Sequence, residues 1–349
     1  MNILFIGPYR QSDTWGETSR NLIKTLSVME DCNLTTRPIY LSTSQEPSID
    51  ADILKCESTK KDKYDILVQH MLPSYMINDS TFDQVIGFTG FETIGATVWD
   101  NHLNLLDKVF VTTEAEKNST SEDVFKKTYS IGIAHDKQES KQEKNMKPFT
   151  FYTLGGNLEI RTGVRNIIQA YFSSFTINDQ VLLVLQANDQ NKASSLIDEV
   201  RKEVGITSDS YYPAIHIVNE TTSLHESCCC FVDASHSLGF NPETIKAVSH
   251  GSVPIVVKNS GRDEYIDNSN GLLVESYEDV VLCPDRPIRE IFTARETCFR
   301  PIISSLRDCM LEVYSSKISY LKKSKSCRDS LNSFSHDSRA SKIKEILCS

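Results

Sequence analysis

What this chain lacks narrows the field first. It has no run of about 18 consecutive apolar residues, the length a membrane-spanning helix needs. Its opening residues, Met1 to Gly7, lack the charged region, long apolar stretch and small-residue cleavage site of a secretory signal. A reducing cytoplasm is the expected location. The ten cysteines include no CxxC pair and no Cys/His spacing suited to zinc. Cys228-Cys229-Cys230 leads straight into the apolar Phe231-Val232, as small buried residues entering a core strand would; a soft-metal or redox site is the competing reading. Positive charge is also short. Lys and Arg number 37 against 47 Asp and Glu, a net charge of −10. Such a field repels phosphate backbones and argues against general nucleic-acid binding, while leaving room for a local basic pocket.

What is present is an alternation of strand-like and helix-like stretches in two halves. The 349 residues suffice for two domains with real cores. In the first half, 2–6, 64–69, 85–88, 108–111 and 130–134 read as strands, 16–26 as a helix, and 114–127 as an interrupted helix. Residues 136–148 are polar and charged, then Pro148 follows, the composition of a solvated linker. Beyond it, 149–154, 181–186, 215–218, 229–233, 253–257 and 272–274 read as strands, with helices at 164–172 and 193–204. Val181-Leu-Leu-Val-Leu-Gln186 is a continuous apolar run, as in a parallel strand covered on both faces. Repeated βα units predict an α/β fold with two Rossmann-like, doubly wound parallel sheets. The expected division is 1–140, 148–312 and a helical tail 313–349. The tail is rich in lysine, and two readings stand for it: contact with an acidic surface or anionic membrane, or a terminal helix packed through Ile318, Leu321, Leu331, Ile343 and Leu347.

Two loops carry the chemistry of the second half. Gly239-Phe240-Asn241-Pro242-Glu243-Thr244 reads as a close backbone approach, a capping residue and a helix start, which directs amide groups and a positive dipole end at an anion. Ala247, Gly251, Pro254, Glu264-Tyr265 and Asn270-Gly271-Leu272 follow at set spacing. The other loop is Gly155-Gly156-Asn157-Leu158-Glu159-Ile160-Arg161-Thr162-Gly163. In the first half, Gly7-Pro8-Tyr9-Arg10 and Trp15-Gly16-Glu17 flank the first loop, Gly87-Phe88-Thr89-Gly90-Phe91-Glu92-Thr93 ends a strand, and His70 ends another.

This constellation resembles the GT-B glycosyltransferases of the retaining group often called group 1 or family 4. The resemblance is clear at 238–274 and fainter in the first half. It implies two domains facing across a cleft, a nucleoside-diphosphate sugar as donor substrate, no required cofactor or metal, and a glycan, lipid-linked or protein acceptor. It assigns donor binding to Gly16, Arg161, Gly239, Phe240, Asn241, Glu243, Thr244 and Lys246, and acceptor-side catalytic roles to Glu92 and His70. It also exposes departures. The family's loop cations fall at Gly156 and Thr162, and its two carboxylates at Leu238 and Lys246. Lys246 can therefore reach a phosphate, or form an ordinary surface pair with Glu243 one turn earlier. His70 can equally be a satisfied structural residue, Glu92 a loop cap, and His135 a structural landmark. Two functions follow: a transferase, or a catalytically silent GT-B module that binds a nucleotide, sugar or protein.

Overall fold

The computed structural model describes the chain apart from residues 42–45, 96, 137–143, 145, 206–211, 221–222 and 282–294, and the side chains of 331 and 332. Most of the polar segment read as a linker thus lies outside the described residues. Two compact units result. One comprises Met1–Asp136, Ile288–Glu296 and Asn332–Ser349; the other comprises Lys137–Pro287 and Thr297–Leu331.

The first unit begins with β1 (Asn2–Gly7), α1 (Thr14–Ser27), β2 (Asn33–Pro38), α2 (Ala51–Ser58) and β3 (Ile66–His70). It continues with β4 (Gln84–Phe88), α3 (Asp100–Leu103), β5 (Lys108–Val111), α4 (Glu114–Asn118), α5 (Glu122–Phe125) and β6 (Thr128–Ser130). The strands form one parallel sheet in the order β2-β1-β3-β4-β5-β6. Its apolar rows are buried on helices; Leu67, Val85, Val109 and Val111 share one core with Phe91, Trp99 and Leu103. The strand expected at 130–134 is corrected to β6, which ends at Ser130, where pairing with β5 stops. β2 escapes the apolar pattern because its buried residues include Thr35 and Thr36.

The second unit holds β7 (Phe149–Leu154), α6 (Val164–Ser174), β8 (Val181–Gln186), α7 (Gln190–Glu203) and β9 (Ala214–Val218). Next come α8 (Leu224–Ser227), β10 (Cys230–Asp233), α9 (Pro242–Ser249), β11 (Val253–Val257) and β12 (Leu272–Val274). The sheet order is β12-β11-β10-β7-β8-β9, again parallel. A separate antiparallel pair, β13 (Ser276–Val280) with β14 (Thr297–Pro301), had no strand signal in our reading. Cys228, Cys229 and Cys230 are buried, and burial raises each thiol's pKa, as fits core residues.

Three helices follow. α10 (Ile303–Ser315) and α11 (Lys317–Ser330) lie in the second unit, and α12 (His336–Cys348) in the first. α12 buries Ile343 and Leu347. Its backbone accepts hydrogen bonds from Gln84 Nε2 at 3.1 Å and Lys108 Nζ at 2.5 Å. Ile318 and Leu321 are corrected: they stand 84% and 49% exposed, and Tyr320, Lys323, Ser324 and Cys327 face inward instead. No helix among the described residues is long and apolar enough to cross a membrane.

Candidate functional site

In a doubly wound sheet, the strand order reverses at one point, and the loops leaving the strand ends there splay apart to leave a crevice. In the second unit that point lies between β7 and β10, which pair through Cys230 with Phe151 and Phe231 with Tyr152. The two loops leaving these strands are the two singled out in the sequence. They touch. A Cβ at Gly163 would sit 2.0 Å from the Ala234 carbonyl oxygen, so only glycine fits. Gly163 also has φ +67°, which suits glycine and opens α6. The His236 N–H donates to the Arg161 carbonyl at 2.8 Å.

Asn241 caps α9, its side-chain oxygen accepting from the Glu243 N–H at 3.0 Å, with Pro242 in the first turn. Its Nδ2 donates to Asp233 Oδ2 at 2.7 Å. Asp233, at the end of β10, also accepts from Thr244 Oγ1 at 3.1 Å and pairs with Arg262 Nε at 2.7 Å. Asp233 and Arg262 are nearly completely buried, so this hub fixes the loop against the helix start. Tyr265 finishes it: its hydroxyl accepts from the Asn241 N–H at 3.2 Å, and its ring lies 5.4 Å from Phe240. Gly239 has φ +94°, and its N–H donates to the Ser260 carbonyl at 2.9 Å.

The amides expected to meet an anion thus have acceptors already. Gly239, Asn241 and Glu243 are paired as above, and the Thr244 N–H donates to the Asn241 carbonyl at 3.1 Å. Glu243 puts its own carboxylate in the first turn. It accepts from His225 Nε2 and Lys246 Nζ, each at 2.8 Å. Burial alone would raise its pKa, but His225 and Lys246 outweigh burial and bring it to about 2. The His225 Nδ1 meets the hydroxyl of buried Tyr152 at 2.8 Å. Lys246 and Glu243 do pair along the helix, but they close a partly buried Tyr–His–Glu–Lys chain and are not a free surface pair. Arg161 lies in a short turn, half exposed, with its Nε on Glu159. Thr162 Oγ1 bonds to the Glu159 carbonyl at 2.7 Å.

The first unit's reversal lies between β1 and β3. There α1 begins with Asp13 accepting from the Gly16 N–H at 2.9 Å. A Cβ at Gly16 would lie 2.0 Å from the Gln11 carbonyl oxygen, so the loop turns back against the helix there. His70, at the end of β3, shares a 2.6 Å hydrogen bond with Ser19 of α1 and stacks on Trp15 with ring centroids 4.9 Å apart. Burial lowers its pKa to about 3, so the ring is neutral near pH 7. Arg10 forms an ion pair with Glu57, and Arg20 donates to the Tyr9 and Gln11 carbonyls. His135 is half-buried in the segment after β6 and donates its N–H to the Phe334 carbonyl at 2.9 Å.

Glu92 is exposed in the loop after β4. That loop is held by Glu116, which our sequence reading passed over. Glu116 is 3% exposed and accepts from the N–H groups of Phe91 at 3.0 Å, Thr112 at 2.8 Å and Thr113 at 3.0 Å. Burial raises its pKa against the pull of those hydrogen bonds. The signal was legible: Thr113-Glu114-Ala115-Glu116 is a capping box, and both of its hydrogen bonds form. Asp233 had a fainter signal, a carboxylate ending an apolar strand eight residues before the cap. Among the described residues, no group of three His, Cys, Asp or Glu side chains is placed to hold a metal ion.

Neither a protein-family model nor a curated protein matches the sequence. Solved structures do match. The TarM structure superposes with a TM-score of 0.61 at 13% identity, over 81% of this chain and 55% of its own. This chain thus spans little more than half of TarM's length. HepE of Anabaena, solved with UDP and glucose, gives 0.61 at 11% identity, over 100% of this chain and 99% of its own. WaaB, a lipopolysaccharide outer core galactosyltransferase, gives 0.65 at 13% identity, over 100% and 99%. With its two six-stranded parallel sheets, the chain has the GT-B fold of these glycosyltransferase structures.

Proposed function

We propose that the protein is a glycosyltransferase that moves a sugar from a nucleoside-diphosphate sugar to an acceptor hydroxyl, with retention of configuration. One observation carries the reading. In each sheet, motif residues lie at the strand-order reversal: the Arg161 and Asn241 loops in one unit, Gly16 and His70 in the other, with Glu92 one strand away after β4. The fold likeness to HepE, whose structure holds UDP and glucose, supports the donor class.

In this reading the donor diphosphate rests near the start of α9 and the turn carrying Arg161. Bond cleavage leaves growing negative charge on the departing diphosphate, which the Arg161 guanidinium and the helix dipole stabilise. Arg161 pairs with Glu159 at a partly exposed position, where such an ion pair contributes little. Gly239 lets the backbone come close to the diphosphate. Neutral His70 offers its second ring nitrogen as a hydrogen-bonding group, and not as a cation. Glu92 orients the acceptor hydroxyl. The nucleotide base, the sugar and the acceptor, whether glycan, lipid-linked or protein, are left open by these residues.

The silent module is favoured by a specific observation: the amides at 239, 241, 243 and 244 are all satisfied internally. Incubation with UDP-, GDP- and other nucleotide sugars separates the two. The transferase releases nucleoside diphosphate slowly from one donor even with water as acceptor, and faster with its acceptor. Saturable binding with no release over long incubation supports the silent module.

A further inference from the structure

We infer that the outer face of α11 is a docking surface for an anionic lipid bilayer. The helix has two contrasting sides. Tyr320, Lys323, Ser324 and Cys327 are turned inward, with Tyr320 donating to the Cys229 carbonyl at 3.3 Å and Lys323 to the Gly271 carbonyl at 3.0 Å. The opposite side carries Ile318 and Leu321 among Lys317, Lys322, Lys325 and Arg328, all exposed. Steps of three, four and seven residues place these six on one face of the helix.

Ile318, at 84%, is the most exposed large hydrophobic side chain among the described residues. An aliphatic group standing so far out, on a helix face that also carries lysines, is unfavourable in water and suited to the headgroup boundary. There the aliphatic tips enter the acyl edge and the ammonium groups stay with the phosphates. Charge selects the occupant. The chain has a net charge of −10, yet from 317 to 328 it contains five basic residues and no acidic one. Of those five, only Lys323 is turned inward. Asp329 at the end of this face and Glu312 on neighbouring α10 are the acidic groups nearest in sequence, and both are exposed. A bilayer rich in acidic headgroups gains from the lysines what a neutral one cannot, and needs only a shallow contact.

The inference does not depend on the transferase reading. The full chain is sedimented with phosphatidylcholine vesicles with and without phosphatidylglycerol, at low and high salt. It should pellet with the anionic vesicles only, and salt should release it. Lys322→Glu with Lys325→Glu should weaken binding by about ten-fold or more, since each cation near such a surface contributes about five-fold. Ile318→Ser with Leu321→Ser should weaken it several-fold. All four positions are solvent-facing, and unchanged melting temperatures confirm that the variants fold. Equal binding to neutral vesicles, no binding to either, or undiminished binding by the charge-reversed variant overturns the inference. So does capture on heparin resin without vesicle binding, which points to a soluble polyanion instead.

Discussion

At the scale of single residues, buried ionisable groups set the pH behaviour. His70 has its pKa lowered from 6.5 to about 3 because its ring is buried. Between those values the unfolded chain takes up a proton that the folded chain refuses. Stability from this residue is therefore complete above about pH 6.5 and falls as the pH drops toward 3. In His70→Gln, the slope of stability against pH over that window should flatten in urea-unfolding measurements; an unchanged slope means the ring is not buried as described. Glu243 works in the same sense. Its pKa of about 2 lies below the ordinary 4.5, so its contribution is complete above 4.5 and is lost as pH falls through 2. The two groups together predict an acid-labile fold. Arg161 belongs at this scale too. Arg161→Ala should weaken nucleotide-sugar binding about ten- to hundred-fold by calorimetry, the worth of one or two charged hydrogen bonds. Unchanged affinity would put the diphosphate elsewhere.

At the scale of elements, caps and loop ties matter more than the helices they join. Glu116 caps α4 and at the same time holds the Phe91 amide, so one carboxylate couples the ends of β4 and β5. Glu116→Ala leaves three amides of two loops without their acceptor and should cost about 3 kcal/mol or more in chemical denaturation. Glu116→Gln keeps an acceptor and should recover part of that loss; equal losses in both variants would show that the ionised group is required. Such ties explain how far the sequence could be read. β5, β7, β8, β11 and β12 match the expected ranges residue for residue, because continuous apolar runs mark covered parallel strands. β2 was missed because threonines fill its buried positions, and the β13–β14 pair because its residues are largely polar and partly exposed. The start of α9 was read correctly from Asn241-Pro242. Its partners Asp233, Arg262 and Tyr265 were not, because contacts between distant loops leave no local period in a sequence. The same limit hid the His225 link to Glu243, which makes the Glu243–Lys246 pair, one of the two readings of Lys246, part of a partly buried chain.

At the scale of the whole molecule, two parallel sheets each have a point where the strand order reverses, and sequence motifs fall at both. That agreement supports a nucleotide-sugar enzyme despite glycine at 156, threonine at 162, leucine at 238 and lysine at 246. Internal pairing of the α9 amides argues that the donor is held by side chains and dipole more than by those N–H groups. Titration of the protein with a panel of nucleotide sugars, followed by melting temperature, tests this most directly. At a concentration one hundred times Kd, one donor should stabilise the protein by about 2.7 kcal/mol, and the shift should shrink in Arg161→Ala. If no nucleotide sugar moves the melting temperature at millimolar concentration, the account is contradicted.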